Sequence, residues 1–109
     1  MKRVSVRSYQ VTVFIAGDFE NAKIACRKFC DEMGECVTVE PADYIYTGGQ
    51  EAGVRVGFIN YGRFPRSRRE IFERAEKMAR WLILALEQES ASIVATDRTV
   101  WLSRRENQA

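Results

Sequence analysis

Three glycines in seven residues, flanked on both sides by runs that suit a pleated sheet, constrain this chain more than any other feature. Val37 to Tyr46 and Val54 to Tyr61 are rich in Val, Ile, Tyr and Phe. Such residues pack well on a half-buried sheet. Between them, Thr47 to Gly53 carries Gly48, Gly49 and Gly53, and glycine supplies the positive φ that hairpin loops need. An amphipathic helix pattern lies on each side. The chain must therefore lay two helices against a sheet built around one hairpin.

The first strand is predicted at Tyr9 to Ala16, with Tyr9, Val11, Val13 and Ile15 on the core face and Phe14 on the other. Asp18 is a good N-cap for a helix running to about Met33. Phe19, Ala22, Cys26, Phe29, Cys30 and Met33 form its apolar stripe, and Gly34 is placed at C′. Pro41 cannot donate to a sheet ladder, so the strand holding it should be an edge or carry a bulge. Ser67-Arg68-Arg69-Glu70 is a capping box that opens a second helix, expected to reach about Gln88. Ile71, Ala75, Met78, Ala79, Leu82 and Leu86 are its core stripe. Ser92 to Thr96 and Thr99 to Leu102 read as short strands about Asp97-Arg98. This order predicts an α+β fold: a ferredoxin-like βαββαβ antiparallel sheet, both helices on one face, with an extra C-terminal strand. One domain is expected over 1–109, with 1–7 and 104–109 extended or frayed.

Composition narrows the function. There is no histidine, which removes the commonest general base and metal ligand and every Ser-His or Cys-His nucleophile. A net charge of +2 is too small to mark the whole chain as a nucleic-acid binder. No apolar run approaches the ~20 residues of a membrane span, and no export signal is visible, so a cytoplasmic protein with reduced thiols is expected. Cys26, Cys30 and Cys36 match no zinc spacing, and two of them lie on the apolar stripe. No metal and no cofactor are expected.

Three groups of residues could carry a function. Arg63, Arg66, Arg68 and Arg69, with Arg74 one turn on, crowd a helix N-terminus where the macrodipole disfavours positive charge. An anionic partner would explain them. Trp81 and Leu84 project from the side of the second helix opposite its core stripe and look like a contact site for a protein partner or for a second copy, a homodimer being slightly favoured. An enzyme working without histidine would have Glu40, Asp43 and Tyr44 near the glycine-rich loop.

Val13-Phe14-Ile15-Ala16-Gly17 and Gly57-Phe58-Ile59-Asn60-Tyr61 resemble the first- and third-strand signatures of the RNA-recognition motif. Val56 and Val54 depart from that pattern. The resemblance implies stacking of single-stranded nucleic acid on a sheet face bearing Phe14, Phe58 and Tyr61.

The run Cys30 … Cys36-Val37-Thr38-Val39, then Asp43 to Gly49, Gly53 to Gly57, Asn60-Tyr61 and Asp97 to Ser103, resembles small uncharacterised proteins of bacteriophages and prophages. That resemblance implies a short phage protein that binds and blocks host machinery. The leading expectation is therefore a non-enzymatic protein-binding module in the host cytoplasm. Its partner would be a host defence complex with an acidic or nucleic-acid-binding surface, and its action that of an anti-CRISPR-like inhibitor. The alternative expectation is the single-stranded nucleic-acid-binding domain.

Overall fold

The computed structural model describes residues 1–105. Seven elements follow one another: β1 (Gln10–Ala16), α1 (Phe19–Met33), β2 (Thr38–Tyr46), β3 (Gly49–Ile59), α2 (Arg68–Ala85), β4 (Ser90–Ala95) and β5 (Thr99–Ser103). The strands form one antiparallel sheet in the order β2-β3-β1-β4-β5. β2 is an edge strand, as Pro41 requires. Both helices pack on one face and against each other. The fold is ferredoxin-like α+β, with β5 added beside β4.

Alternation along the strands divides the sheet into two faces. Val11, Val13 and Ile15 of β1, Val54, Val56 and Phe58 of β3, and Ala91 and Ile93 of β4 are buried beneath the helices. Phe29 of α1 and Phe72, Met78 and Leu82 of α2 fill the space above them. Each such large side chain contributes about 1.5–3 kcal/mol by leaving water. The other face carries Gln10, Thr12, Phe14 and Ala16 from β1, and no helix covers it.

Both helices start where their caps lie. Asp18 accepts from the Asn21 N–H, and Gly34 ends α1 at φ 66. Ser67 and Glu70 close the reciprocal capping box of α2. The end of α2 differs from expectation: the helix stops at Ala85, not at Gln88. The Gln88 N–H reaches the Ile83 carbonyl and the Glu87 N–H the Leu84 carbonyl, the paired bonds of a Schellman motif. Its left-handed residue is Glu87, at φ 55. No glycine marks this terminus, so the sequence gives no stop signal there.

The hairpin loop is also shorter than the glycine count implies. β3 begins at Gly49 and pairs with β2 from Tyr46↔Gly49 to Thr38↔Gly57, leaving only Thr47 and Gly48 as the turn. Gly48, at φ 83, supplies the left-handed corner. Gly49 and Gly53 serve close packing instead. A Cβ on Gly49 would stand 2.5 Å from the Tyr46 ring, and one on Gly53 would collide with the Tyr44 ring and the Ile15 carbonyl. Each tyrosine lies across a strand glycine.

Residues 1–9 form no helix or strand, and two of them near the start of β1 are held by hydrogen bonds. The Asn60 side-chain amide donates to the Arg7 carbonyl, and the buried Tyr9 donates its hydroxyl to Asp97 at 2.9 Å. At the other end the Arg104 N–H donates to the Glu89 carbonyl at 2.7 Å. Residues 106–109 of the expected frayed tail lie outside the described residues. No helix among those described is long and apolar enough to cross a membrane.

Candidate functional site

The uncovered face of the sheet ends in a cavity of about 430 Å³. Four segments bring side chains to it: the end of β1, the tip of the β2–β3 hairpin, the turn from α2 into β4 with the start of β4, and the residues that follow β5. Gly17 permits the third approach, since Leu86 lies within 2.9 Å of where a Cβ on residue 17 would stand.

Aromatic rings supply one wall. Phe14 points away from the helices because its neighbours Val13 and Ile15 point toward them. Tyr44 lies over Gly53 and donates its hydroxyl to the Val54 carbonyl at 2.6 Å. Tyr46 lies over Gly49 and donates to Glu51 Oε1 at 2.9 Å. Burial raises the Tyr44 phenol above its ordinary value, and the bond to Glu51 raises that of Tyr46. Both are proton donors at neutral pH, not bases.

Carboxylates supply the other wall. Glu51 faces Tyr44 across the hairpin, and Glu87 and Glu89 come from the turn after α2. That turn is an unfavourable place for acids. A helix C-terminus carries partial negative charge, and no basic residue occupies the last turn of α2 to offset it. Glu87 additionally holds a left-handed backbone that glycine would adopt freely. Two local preferences are overridden at one residue, and that residue lines the cavity. Ser90, Ser92 and Arg105 complete the polar lining.

The structure redistributes the residues singled out from sequence. Tyr44 lines the cavity, but Glu40 pairs with Arg55 at 3.3 Å elsewhere on the same sheet face, and Asp43 belongs to the opposite face. The arginines do not form a single patch. Arg66 and Arg74 converge on Glu35 Oε2 at 2.8 and 3.1 Å, and the Glu35 side chain is 4% exposed. They also reach the Gly34 and Met33 carbonyls. Their position at the start of α2 is thus explained by the end of α1, whose unpaired carbonyls and negative dipole they meet. Arg69 pairs with Glu73, Arg68 stands 3.9 Å from Asp97, and Arg63 is exposed.

Trp81 does not project into solvent. It packs edge-on against Phe29, ring centroids 5.7 Å apart, and its indole N–H donates to the Ala25 carbonyl. Its expected companion Leu84 is 66% exposed. Trp81 lies off the core stripe of α2 as its spacing predicts, but α1 occupies that side. Phe14 and Phe58 likewise part company: Phe58 is buried under the helices, and Phe14 faces the other way. Tyr61 lies beyond β3, against Phe64 and Cys36. A stacking platform built from Phe14, Phe58 and Tyr61 is therefore ruled out: in the β1–β3 register Phe58 stands opposite Val11 on the core face, while Phe14 stands opposite Arg55 on the other.

Of the cysteines, Cys26 is buried, Cys30 half-buried and Cys36 exposed. Burial pushes the Cys26 thiol up to about 12. No cluster of three metal-ligating side chains occurs among the described residues.

Glu51, Glu87, Glu89 and Arg105 were missed by sequence reasoning. The acids at 87 and 89 had one legible signal, negative charge at the wrong end of a helix. Arg105 had none.

No family model matches the sequence, and no curated protein is similar to it at the sequence level. Solved structures do share the fold. A phage SAM lyase in complex with S-methyl-5'-thioadenosine superposes with a TM-score of 0.75 at 12% identity, covering 99% of this chain and 98% of that one. A phage SAM lyase in its apo state superposes with a TM-score of 0.78 at 13% identity, over the same shares of the two chains. The structural neighbours are phage proteins, in keeping with the resemblance noted in the sequence. They also correct the leading expectation. The architecture expected of a non-enzymatic binding module, an inhibitor of a host defence complex, is one that this chain shares nearly end to end with an enzyme.

Proposed function

We propose that this phage-type chain is a lyase acting on S-adenosylmethionine and releasing S-methyl-5'-thioadenosine. One observation carries the reading. Phe14, Tyr44 and Tyr46 and the acids Glu51, Glu87 and Glu89 gather in one cavity of a fold shared, over nearly its whole length, with a lyase of that substrate.

The chemistry suits the residues. The substrate has an adenine ring, a sulfonium, an ammonium and a carboxylate. Aromatic faces accept both a flat base and a nearby cation. A lyase breaks the bond between sulfur and the side-chain carbon without water. The bonding pair goes to sulfur, which leaves as a neutral thioether. The carbon left behind takes a pair from the substrate's own carboxylate oxygen and closes a five-membered lactone. One positive and one negative charge disappear together, and no proton moves. A chain with no histidine can run such a step.

The protein's part is conformational. It folds the substrate so that carboxylate and carbon meet, and intramolecular reactions in near-attack geometry gain about 7–11 kcal/mol over the intermolecular case. The acids are better placed on the ammonium, whose charge is constant, than on the sulfonium. A carboxylate on the sulfonium would stabilise a charge that fades in the transition state and so would slow the step. A ring holds the sulfonium more weakly and hinders it less.

The test is to incubate the purified protein with S-adenosylmethionine in heavy-oxygen water and follow products by mass spectrometry. S-methyl-5'-thioadenosine should accumulate beside an unlabelled lactone. Accumulation of neither product would refute the proposal. Heavy oxygen in the freshly formed four-carbon fragment would replace the lyase with a hydrolase.

A further inference from the structure

We infer that Arg105 holds the carboxylate of the substrate and is the residue that makes the cavity choose the intact amino-acid sulfonium. The inference rests on the proposed lyase reading and deepens it.

Charge balance motivates it. Among the described residues lining the cavity there are three acids, Glu51, Glu87 and Glu89, and one base, Arg105. The lining therefore carries −2 (1 − 3). The substrate carries two fixed positive groups and one negative group. The acids answer the ammonium and the rings the sulfonium, and the carboxylate has a single cationic side chain among the described lining residues to meet.

Placement supports it. The Arg104 N–H is fixed to the Glu89 carbonyl, and the Arg105 N–H to Ser103 Oγ at 3.0 Å. The backbone at the rim is thus held while the side chain stays available. Arg105 Nε stands 3.8 Å from Glu89 Oε2, with the arginine side chain 62% exposed. That separation exceeds hydrogen-bond length, and exposed pairs of this kind are weak. An incoming carboxylate can take the planar fork of the guanidinium in two parallel bonds.

The chemistry gives the contact a kinetic signature. The carboxylate loses its charge as it closes on carbon, so the arginine binds the ground state better than the transition state. Such a contact lowers KM without raising kcat. It also has nothing to hold on S-methyl-5'-thioadenosine, which lacks the carboxylate.

Steady-state cleavage of S-adenosylmethionine and calorimetric binding of S-methyl-5'-thioadenosine test this in the wild type, Arg105→Ala and Arg105→Lys. Arg105→Ala should raise KM about ten- to hundredfold, the loss expected for a charged hydrogen-bonded contact. Its kcat should hold or rise, its thioadenosine affinity should stay at the wild-type value, and Arg105→Lys should recover part of the KM. An unchanged KM in Arg105→Ala, or a parallel fall in thioadenosine affinity, overturns the assignment of Arg105 while leaving the lyase intact. A wild type that neither cleaves the one nor binds the other overturns both.

Discussion

The indole N–H of Trp81 donates to the carbonyl of Ala25 at 2.9 Å, tying α2 to α1. The bond is possible because Ala25 is small and buried at the helix crossing. Trp81 adds an edge-on contact with Phe29. The tryptophan is accordingly a strut between helices. Trp81→Ala should lower unfolding free energy by about 2–4 kcal/mol, somewhat under the range for a fully buried tryptophan. Leu84→Ser, at an exposed site, should change it by less than about 0.5 kcal/mol. Urea denaturation of the two single variants checks both, and equal effects would contradict the packing described.

Glu87 sets stability against activity. Glycine suits its left-handed backbone better, so Glu87→Gly should stabilise the fold by about 0.5–1 kcal/mol. The same change removes one acid from the cavity and should depress cleavage of S-adenosylmethionine. Thermal melts and product release measured on one preparation check the pair. A variant both less stable and fully active would show that neither argument holds.

The capping box has a pH dependence of definite sign. Glu70 is held below its ordinary value, chiefly by the Ser67 backbone N–H and then by its hydroxyl. A depressed folded value means that the carboxylate's stabilisation is present above its unfolded value and is lost as pH falls through the folded one. Glu70→Ala should melt below wild type at neutral pH, and the gap should narrow on acidification. A gap that widens in acid would reverse the assignment.

The three thiols should alkylate in order of access. Cys36 is exposed, while Cys26 is buried with its thiol pushed up to about 12, leaving almost no thiolate at neutral pH. Limited iodoacetamide treatment followed by peptide mass spectrometry should find Cys36 modified first and Cys26 last. Early labelling of Cys26 in folded protein would mean that α1 opens readily.

The fold was legible because its signals are local. Asp18, Gly34 and the Ser67–Glu70 pair fix three helix ends, and period-two burial fixes β1 and β3. The end of α2 was not legible, since a Schellman motif with glutamate at its left-handed position carries no glycine to read. The hairpin loop is shorter than its glycines suggest, because glycines that turn a chain and glycines that seat a ring look alike in sequence. The site was the least legible part. Its side chains come from residues 14, 44–51, 87–92 and 105, and only strand order brings them together. Two of the arginines are placed by a related long-range cause: Glu35, thirty-one residues before Arg66, is the partner that explains Arg66 and Arg74.

Tyr46 constrains what can stand at position 49, and the constraint runs one way. The ring fills the space that any other side chain at 49 would need, and the bare strand at 49 is what lets the ring lie flat within reach of Glu51. A scan that changes one position at a time would charge Gly49 with a cost that its neighbour imposes, while the half-exposed Tyr46 would yield with little loss of stability. Removing the ring clears the space, so sequences that diverge here are expected to lose Tyr46 before Gly49 or together with it, and not after it.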